Sequence, residues 1–329
     1  MQMVQMNSKF VQEFAKLLQV ANGKKIAVVG HMRPDGDCVS SQFAMAEILR
    51  NAGANVVCVN QEQVPYLYKN LVNEDFILAN EFNDTSYEIL LVDCSDLARA
   101  NVHLKERFSN VFACVDHHVS GNSQAQIKVI DTTAGATAEI IALCVKTLNL
   151  NISERVANLL FMGIATDTRQ FTTTSTRVES LDAAKEMMLR GANPNWVAQE
   201  LYQRERIEKM RLLAVYLNSL KMYLNNRVCI GFIPLGIYEK TGSCKEDTEG
   251  LVDYVRSIDG VEIAITLEQL ADGSVKGSMR ARNPEYRVSD IATHFGGGGH
   301  FAAAGFTAKN KTFETIIPEL LELCKKSLK

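Results

Sequence analysis

Six histidines occur in the chain, and three of them, His31, His117 and His118, stand in two motif clusters. His31 opens His31-Met32-Arg33-Pro34-Asp35-Gly36-Asp37, and His117 and His118 directly follow Asp116. Asp93 closes Leu91-Val92-Asp93, and Asp167 stands in Thr166-Asp167-Thr168. Carboxylates mixed with imidazole, without thiolate pairs, suit Mn²⁺ or Mg²⁺ and argue against a structural zinc. One carboxylate bridging two divalent ions ~3.5–4 Å apart is the usual device for in-line displacement at phosphorus. Such ions bind phosphate oxygens, neutralise charge and generate hydroxide from water. Singly, each residue reads as well as a cap, a turn or a satisfied core group.

The surrounding pattern says what must position them. Short apolar runs at Ile26–Val29, Val56–Val59, Glu88–Val92 and Val111–Val115 read as buried strands, with helical stretches between several of them. Strands of this kind, alternating with helices, argue for a parallel sheet covered on both faces, hence an α/β fold. His31, Asp93 and Asp116-His117-His118 each follow one of these strands. In open α/β sheets the carboxyl ends of the strands form the ligand crevice, so three strands deliver ionisable groups to one rim. Ser8 is the expected cap of a first helix carrying Phe10, Phe14, Leu17 and Leu18. Helices are expected at residues 138–148, 154–164 and 177–189, and one long charged helix at 196–220. Past Asn225-Asn226 a strand, a hairpin across Asp272-Gly273 and a final helix indicate a smaller second α/β domain. The divisions read are 1–195 for the first domain, 196–225 for a connecting helix and 226–329 for the second.

A chain of 329 residues exceeds what one small core usually organises. Its net charge of −3 excludes binding of nucleic acid through a global positive field. Eight scattered cysteines with no CxxC pair read as buried free thiols of a reducing compartment. No leader pattern is evident, and no apolar run approaches the ~18 residues that span a bilayer. The expectation is a cytoplasmic protein without membrane association.

His31-x-x-Pro34-Asp35-x-Asp37-x-x-x-Ser41, Val92-Asp93, Val115-Asp116-His117-His118 and Thr166-Asp167-Thr168 resemble the four ordered motifs of the DHH phosphoesterase superfamily. Gly277-Ser278-Met279-Arg280, Val288-Ser289-Asp290-Ile291-Ala292 and Gly296-Gly297-Gly298-Gly299-His300 resemble the associated DHHA1 domain. The short two-domain layout is similar to the oligoribonuclease-type, NrnA-like subfamily. That resemblance implies hydrolysis of very short RNAs and removal of the 3′-phosphate of adenosine 3′,5′-bisphosphate. It implies two Mn²⁺ ions, with Mg²⁺ or Co²⁺ as substitutes: one at His31, Asp35 and Asp93, the second at Asp37, Asp93, His117 and Asp167. Asp93 would bridge. Asp116 would orient the imidazole of His117 or a neighbour, and His118 would serve as electrophile or general acid. Arg99 reads either as a phosphate clamp or as an exposed helical arginine. Ser40 and Ser41 read as helix-start residues or phosphate contacts. The family commonly has glycine where this chain has Arg169.

In the second domain, Gly297, Gly298 and Gly299 would let backbone approach a ligand, with His300 and Arg280 as side-chain partners. The stretch after His300 is helix-compatible, so the glycines are expected to lead into a helix N-terminus that favours phosphate. The first domain would cut and the second hold a terminal nucleotide. Alternatives are a phosphodiesterase for cyclic or linear dinucleotides and a non-catalytic nucleotide sensor. A homodimer is left open.

Overall fold

The computed structural model describes residues 9–118 and 124–328; the expected cap Ser8 lies outside them. Two compact units divide between Arg204 and Glu205.

The first unit begins with α1 (Lys9–Ala21), β1 (Lys25–Val29), α2 (Gly36–Asn51) and β2 (Asn55–Asn60). Short α3 (Lys69–Val72) and β3 (Ile77–Leu78) precede β4 (Glu88–Val92), α4 (Leu97–Ala100) and α5 (Val102–Arg107). Then come β5 (Val111–Asp116), β6 (Ile127–Ile130), α6 (Thr137–Thr147), α7 (Glu154–Asp167), α8 (Val178–Leu189) and α9 (Pro194–Tyr202). The strands form one six-stranded sheet in the order β3-β2-β1-β4-β5-β6, and every pairing is parallel. Strand side chains alternate between two apolar layers, so both faces are covered. Val28, Leu90 and Val115 join the layer packed with α2, α6 and α7, while Ala27, Leu91 and Cys114 join the layer with Leu97 and Leu104. The order reverses between β1 and β4, which opens a crevice at their carboxyl ends.

Helices α2 and α7 meet where neither carries bulk. A Cβ at Gly163 would stand 2.2 Å from Ser40 Oγ, 2.6 Å from Ala138 Cβ and 2.8 Å from Asp37 Oδ1. Overpacking of this kind costs roughly 1–3 kcal/mol. Gly163→Ala is therefore expected to lower the melting temperature and to displace Asp37; an unchanged melting curve would rule out the close approach.

The second unit contains α10 (Ile207–Asn218), β7 (Lys221–Tyr223), β8 (Val228–Ile233), α11 (Ile237–Thr241) and α12 (Leu251–Arg256). It continues with β9 (Ile263–Gln269), β10 (Val275–Ala281), α13 (Val288–His294), β11 (Gly298–His300), β12 (Ala303–Ala308) and α14 (Phe313–Ser327). Its sheet runs β11-β12-β10-β9-β8-β7, with β8 and β9 parallel and the other pairs antiparallel. The hairpin across Asp272-Gly273 is β9–β10.

Two expectations are corrected. The single helix over 196–220 is two helices, α9 and α10, separated at Gln203 to Arg206. Arg206 takes extended dihedrals (φ −70, ψ 144) and pairs with Asp247, so the chain leaves the helical path at the division between the units. The helix expected after His300 is absent, because β11 turns back antiparallel into β12. The glycines allow that close hairpin: a Cβ on Gly297 would lie 2.1 Å from Gly305 O, and one on Gly299 2.5 Å from Ala303 O.

Candidate metal centre

Each predicted ligand hangs on the end of an element. His31 follows β1, Asp93 follows β4, His117 and His118 follow β5, and Asp167 ends α7. Asp35 caps α2, accepting from Cys38 N at 3.0 Å, and Asp37 lies in its first turn. Asp37 is fully enclosed: Thr137 N donates to its Oδ2 (2.6 Å), Ala138 N to Oδ1 (2.9 Å) and Ser41 Oγ to Oδ1 (3.1 Å). The first turn of α6 thus directs its free N–H groups at a carboxylate, as a helix N-terminus favours.

Asp93 sits at the centre. Its Oδ2 lies 3.4 Å from His31 Nε2, and its Oδ1 lies 3.6 Å from His117 Nε2. His31 Nε2 is also 3.7 Å from Asp35 Oδ1, and His117 Nε2 is 3.3 Å from Asp167 Oδ2. Asp93 is only 3% exposed and holds a left-handed φ of 56, an uncommon backbone state for a residue with a side chain. Thr137 Oγ1 donates to its Oδ1 at 2.8 Å.

The imidazole tautomers test whether a cation fits. His31 Nδ1–H donates to Met32 O at 2.9 Å and His117 Nδ1–H to Ala134 O at 3.1 Å. A carbonyl only accepts, so the proton of each neutral ring is on Nδ1 and the Nε2 lone pair faces carboxylate oxygens. Acceptors converging on acceptors need a cation or shared protons between them. Without a cation the protons stay. Burial and the nearby Asp93, Asp167 and Asp35 hold the Asp37 carboxyl well above the usual range. Burial, the largest influence, pushes Asp167 up to about 6, helped by Asp93 and Asp35 and opposed by His117 and His118. Burial works against charged His31, but Asp35 and Asp93 raise it; burial also works against charged Asp35, but His31 together with the Cys38 and Asp37 backbone N–H groups lowers it. Asp93 with His117 and His118, and Asp37 with His117 and Asp167, each bring donor atoms within 4.8 Å of one another, as a metal requires. His31, Cys38 and Asp93 form a third such group, but burial pushes the Cys38 thiol up to about 12 and keeps it neutral.

Asp116, expected to orient His117 or a neighbour, faces His118. Its Oδ1 accepts from the His118 ring at Nδ1 (2.8 Å) and from the backbone N–H groups of His117 and His118. It therefore orients His118, leaving Nε2 as that ring's outward atom. The bond to Asp116 raises the His118 pKa against the effect of burial. Arg99 lies in α4, and its carbonyl accepts from Met32 N at 3.2 Å, which brings α4 beside the His31 loop. Arg169 has a left-handed φ of 45, a conformation glycine adopts without steric cost. Sequence reasoning missed Thr137 and the Ala134 carbonyl; Thr137 beside Ala138 looked only like a helix start.

In the second unit, Arg280 pairs with Ala303 and Ala303 with His300, so Arg280 and His300 share one face of three adjacent strands. Ser278, Gly305 and Gly298 form the next row of that face. The glycine amides are partly committed: Gly297 N donates to Ala292 O and Gly296 N to Thr293 O at 2.9 Å each.

Residues 25–164 match the DHH family, N-terminal domain, and residues 225–329 match the DHHA1 domain. The chain is a DHH–DHHA1 protein. It is 25% identical to the bifunctional oligoribonuclease and PAP phosphatase NrnA of Thermus thermophilus, covering 95% of this chain and 93% of that one. The Bacillus subtilis protein of the same name is 24% identical, over 90% and 93%. A crystal structure of an exopolyphosphatase-related protein from Bacteroides fragilis shares the fold, with a TM-score of 0.83 at 21% identity over 97% and 95% of the two chains. Among the described residues, no helix is long and apolar enough to cross a membrane.

Proposed function

We propose that this DHH–DHHA1 chain is a Mn²⁺-dependent phosphoester hydrolase acting on very short RNAs and on adenosine 3′,5′-bisphosphate. The observation that carries the reading is Asp93, whose two oxygens face the Nε2 atoms of His31 and His117. One ion would be held by His31, Asp35 and Asp93, the other by Asp37, Asp93, His117 and Asp167. When bound, such ions neutralise phosphate charge and acidify water. The chain's own groups do the rest. Met32 O and Ala134 O fix the tautomers of His31 and His117. His118, held through Nδ1 by Asp116, donates from Nε2 to the leaving oxygen. Arg99 clamps a phosphate bidentately. Arg280, His300 and the backbone at Gly297, Gly298 and Gly299 hold the terminal nucleotide. The relatives named for these two activities match nearly the whole chain, which supports the substrate choice. Eight free cysteines, seven of them buried, fit a cytoplasmic setting.

The test is a panel offered to the full chain with Mn²⁺: 5′-labelled RNA dimers to decamers, adenosine 3′,5′-bisphosphate, cyclic and linear dinucleotides, and pyrophosphate. Dimers and the bisphosphate are expected to turn over fastest. A preference for cyclic dinucleotides would replace the substrate assignment, and no metal-dependent turnover at all would leave a nucleotide sensor. Arg280→Ala and His300→Ala are expected to weaken nucleotide substrates about 10-fold or more, as loss of a charge-assisted contact does. A minimal chromogenic phosphodiester should be hardly affected; equal losses on both would contradict a nucleotide-holding role.

A further inference from the structure

Segment 131–139 reaches the candidate centre at three points. The Ala134 carbonyl accepts from His117 Nδ1, Thr137 donates to both Asp37 and Asp93, and Ala138 N donates to Asp37. Something must hold that segment in place, since six of its nine residues, 131–136, precede α6. The holding group is Arg177, just before α8. Its Nε donates to Glu139 Oε1 (2.6 Å), its Nη1 to Thr133 Oγ1 (2.5 Å) and its Nη2 to Asp131 Oδ2 (2.7 Å). Glu139 has no exposed surface, and its other oxygen accepts from Gly135 N (3.1 Å) and Ser180 Oγ (2.5 Å). Gly135 is wedged against the loop that follows Asp167: a Cβ there would lie 3.0 Å from Ser175 O and 3.1 Å from Thr168 Cγ2.

One guanidinium therefore ties both ends of the segment to the loop leaving Asp167. The ligands that the clamped elements touch or carry are Asp37, Asp93, His117 and Asp167. His31 and Asp35, on the β1–α2 side, make none of these contacts. We propose that Arg177 is a positioning residue for the Asp37–Asp93–His117–Asp167 ion site, acting through segment 131–139 and not on substrate. The inference rests on the two-ion reading above. A lysine cannot replace it, because one ammonium on a flexible stem does not reproduce three donors fixed in a plane.

The experiment is a Mn²⁺ titration of the metal-stripped full chain, read by calorimetry and by the electron paramagnetic resonance of unbound Mn²⁺. The wild type should bind two ions. In Arg177→Gln, one ion should bind about 10-fold more weakly, the scale of losing an outer partner of a metal ligand, while the other keeps its affinity. Arg177→Lys should recover only part of the loss. Two unaltered affinities in a folded variant overturn the proposal, and so does equal weakening of both, which is what a general loss of structure gives. If Arg177→Gln does not fold, Asp131→Asn and Thr133→Val each remove one contact and leave the Glu139 pair intact; each should weaken the same single site, and two unaltered sites in both again overturn the role. A wild type that binds no Mn²⁺ instead overturns the two-ion reading, and this inference with it.

Discussion

Asp93→Asn is expected to abolish binding of both ions and to lower Mn²⁺-dependent kcat/KM about 10³-fold or more, since charge stabilisation by such ions supplies several kcal/mol. Asparagine is the informative substitution. Asp93 holds φ 56, and asparagine tolerates that region far better than alanine, so backbone strain does not confuse the result. Its amide oxygen still accepts from Thr137 Oγ1, which now bonds Asp93 at 2.8 Å. What disappears is the charge shared between His31 and His117. His31→Asn provides the contrast, because it touches one side only and should leave one ion bound. Calorimetric stoichiometry separates the two. If Asp93→Asn keeps one ion at wild-type affinity, the carboxylate does not bridge.

The first unit was legible because its strands are continuous apolar runs and its chemical residues stand immediately after them. Val29 leads to His31, Val92 to Asp93 and Val115 to Asp116, so the parallel sheet and the crowded rim follow from one pattern. Contacts that hold the ligands were not legible, because they join residues far apart in sequence. Thr137 meets Asp93 across 44 positions, and Arg177 meets Glu139 across 38. The break at Gln203 to Arg206 was hidden because those residues are good helix formers, while Arg206 is engaged by Asp247 and Cys244, far away in sequence. The glycine run misled for a related reason. Alanines after His300 favour a helix in isolation, yet the hairpin with β12 overrides that preference by pairing them into the sheet. Arg280 and His300 are 20 positions apart, and only this hairpin sets them on one face.

The second large effect is a reversal of pH dependence on removing metal. In the metal-free chain Asp167 is pushed up to about 6 and Asp37 stands well above the usual range, both chiefly by burial among carboxylates. Unfolded carboxyls titrate near ~3.9, so between pH 4 and 6 the folded state binds more protons than the unfolded state. Stability then falls as pH rises. His31 acts in the same direction: burial opposes its charge, but Asp35 and Asp93 raise it, so its contribution is full below ~6.5 and declines progressively as pH rises from there towards its raised folded value. Asp35 is lowered, and its opposite contribution is confined to pH below about 4. Saturating Mn²⁺ needs those same groups deprotonated, so stabilisation by the metal grows with pH. Melting temperatures in chelator should therefore drop by a few °C between pH 5 and 7.5, on the order of 1–2 kcal/mol after discounting Asp167 for its partial exposure. In excess Mn²⁺ they should rise over the same range. A metal-free curve that rises with pH would mean that these groups do not converge as described, because burial and repulsion of the Asp37 and Asp167 carboxyls, together with the pairing of charged His31 with Asp35 and Asp93, make the metal-free site more stable in acid.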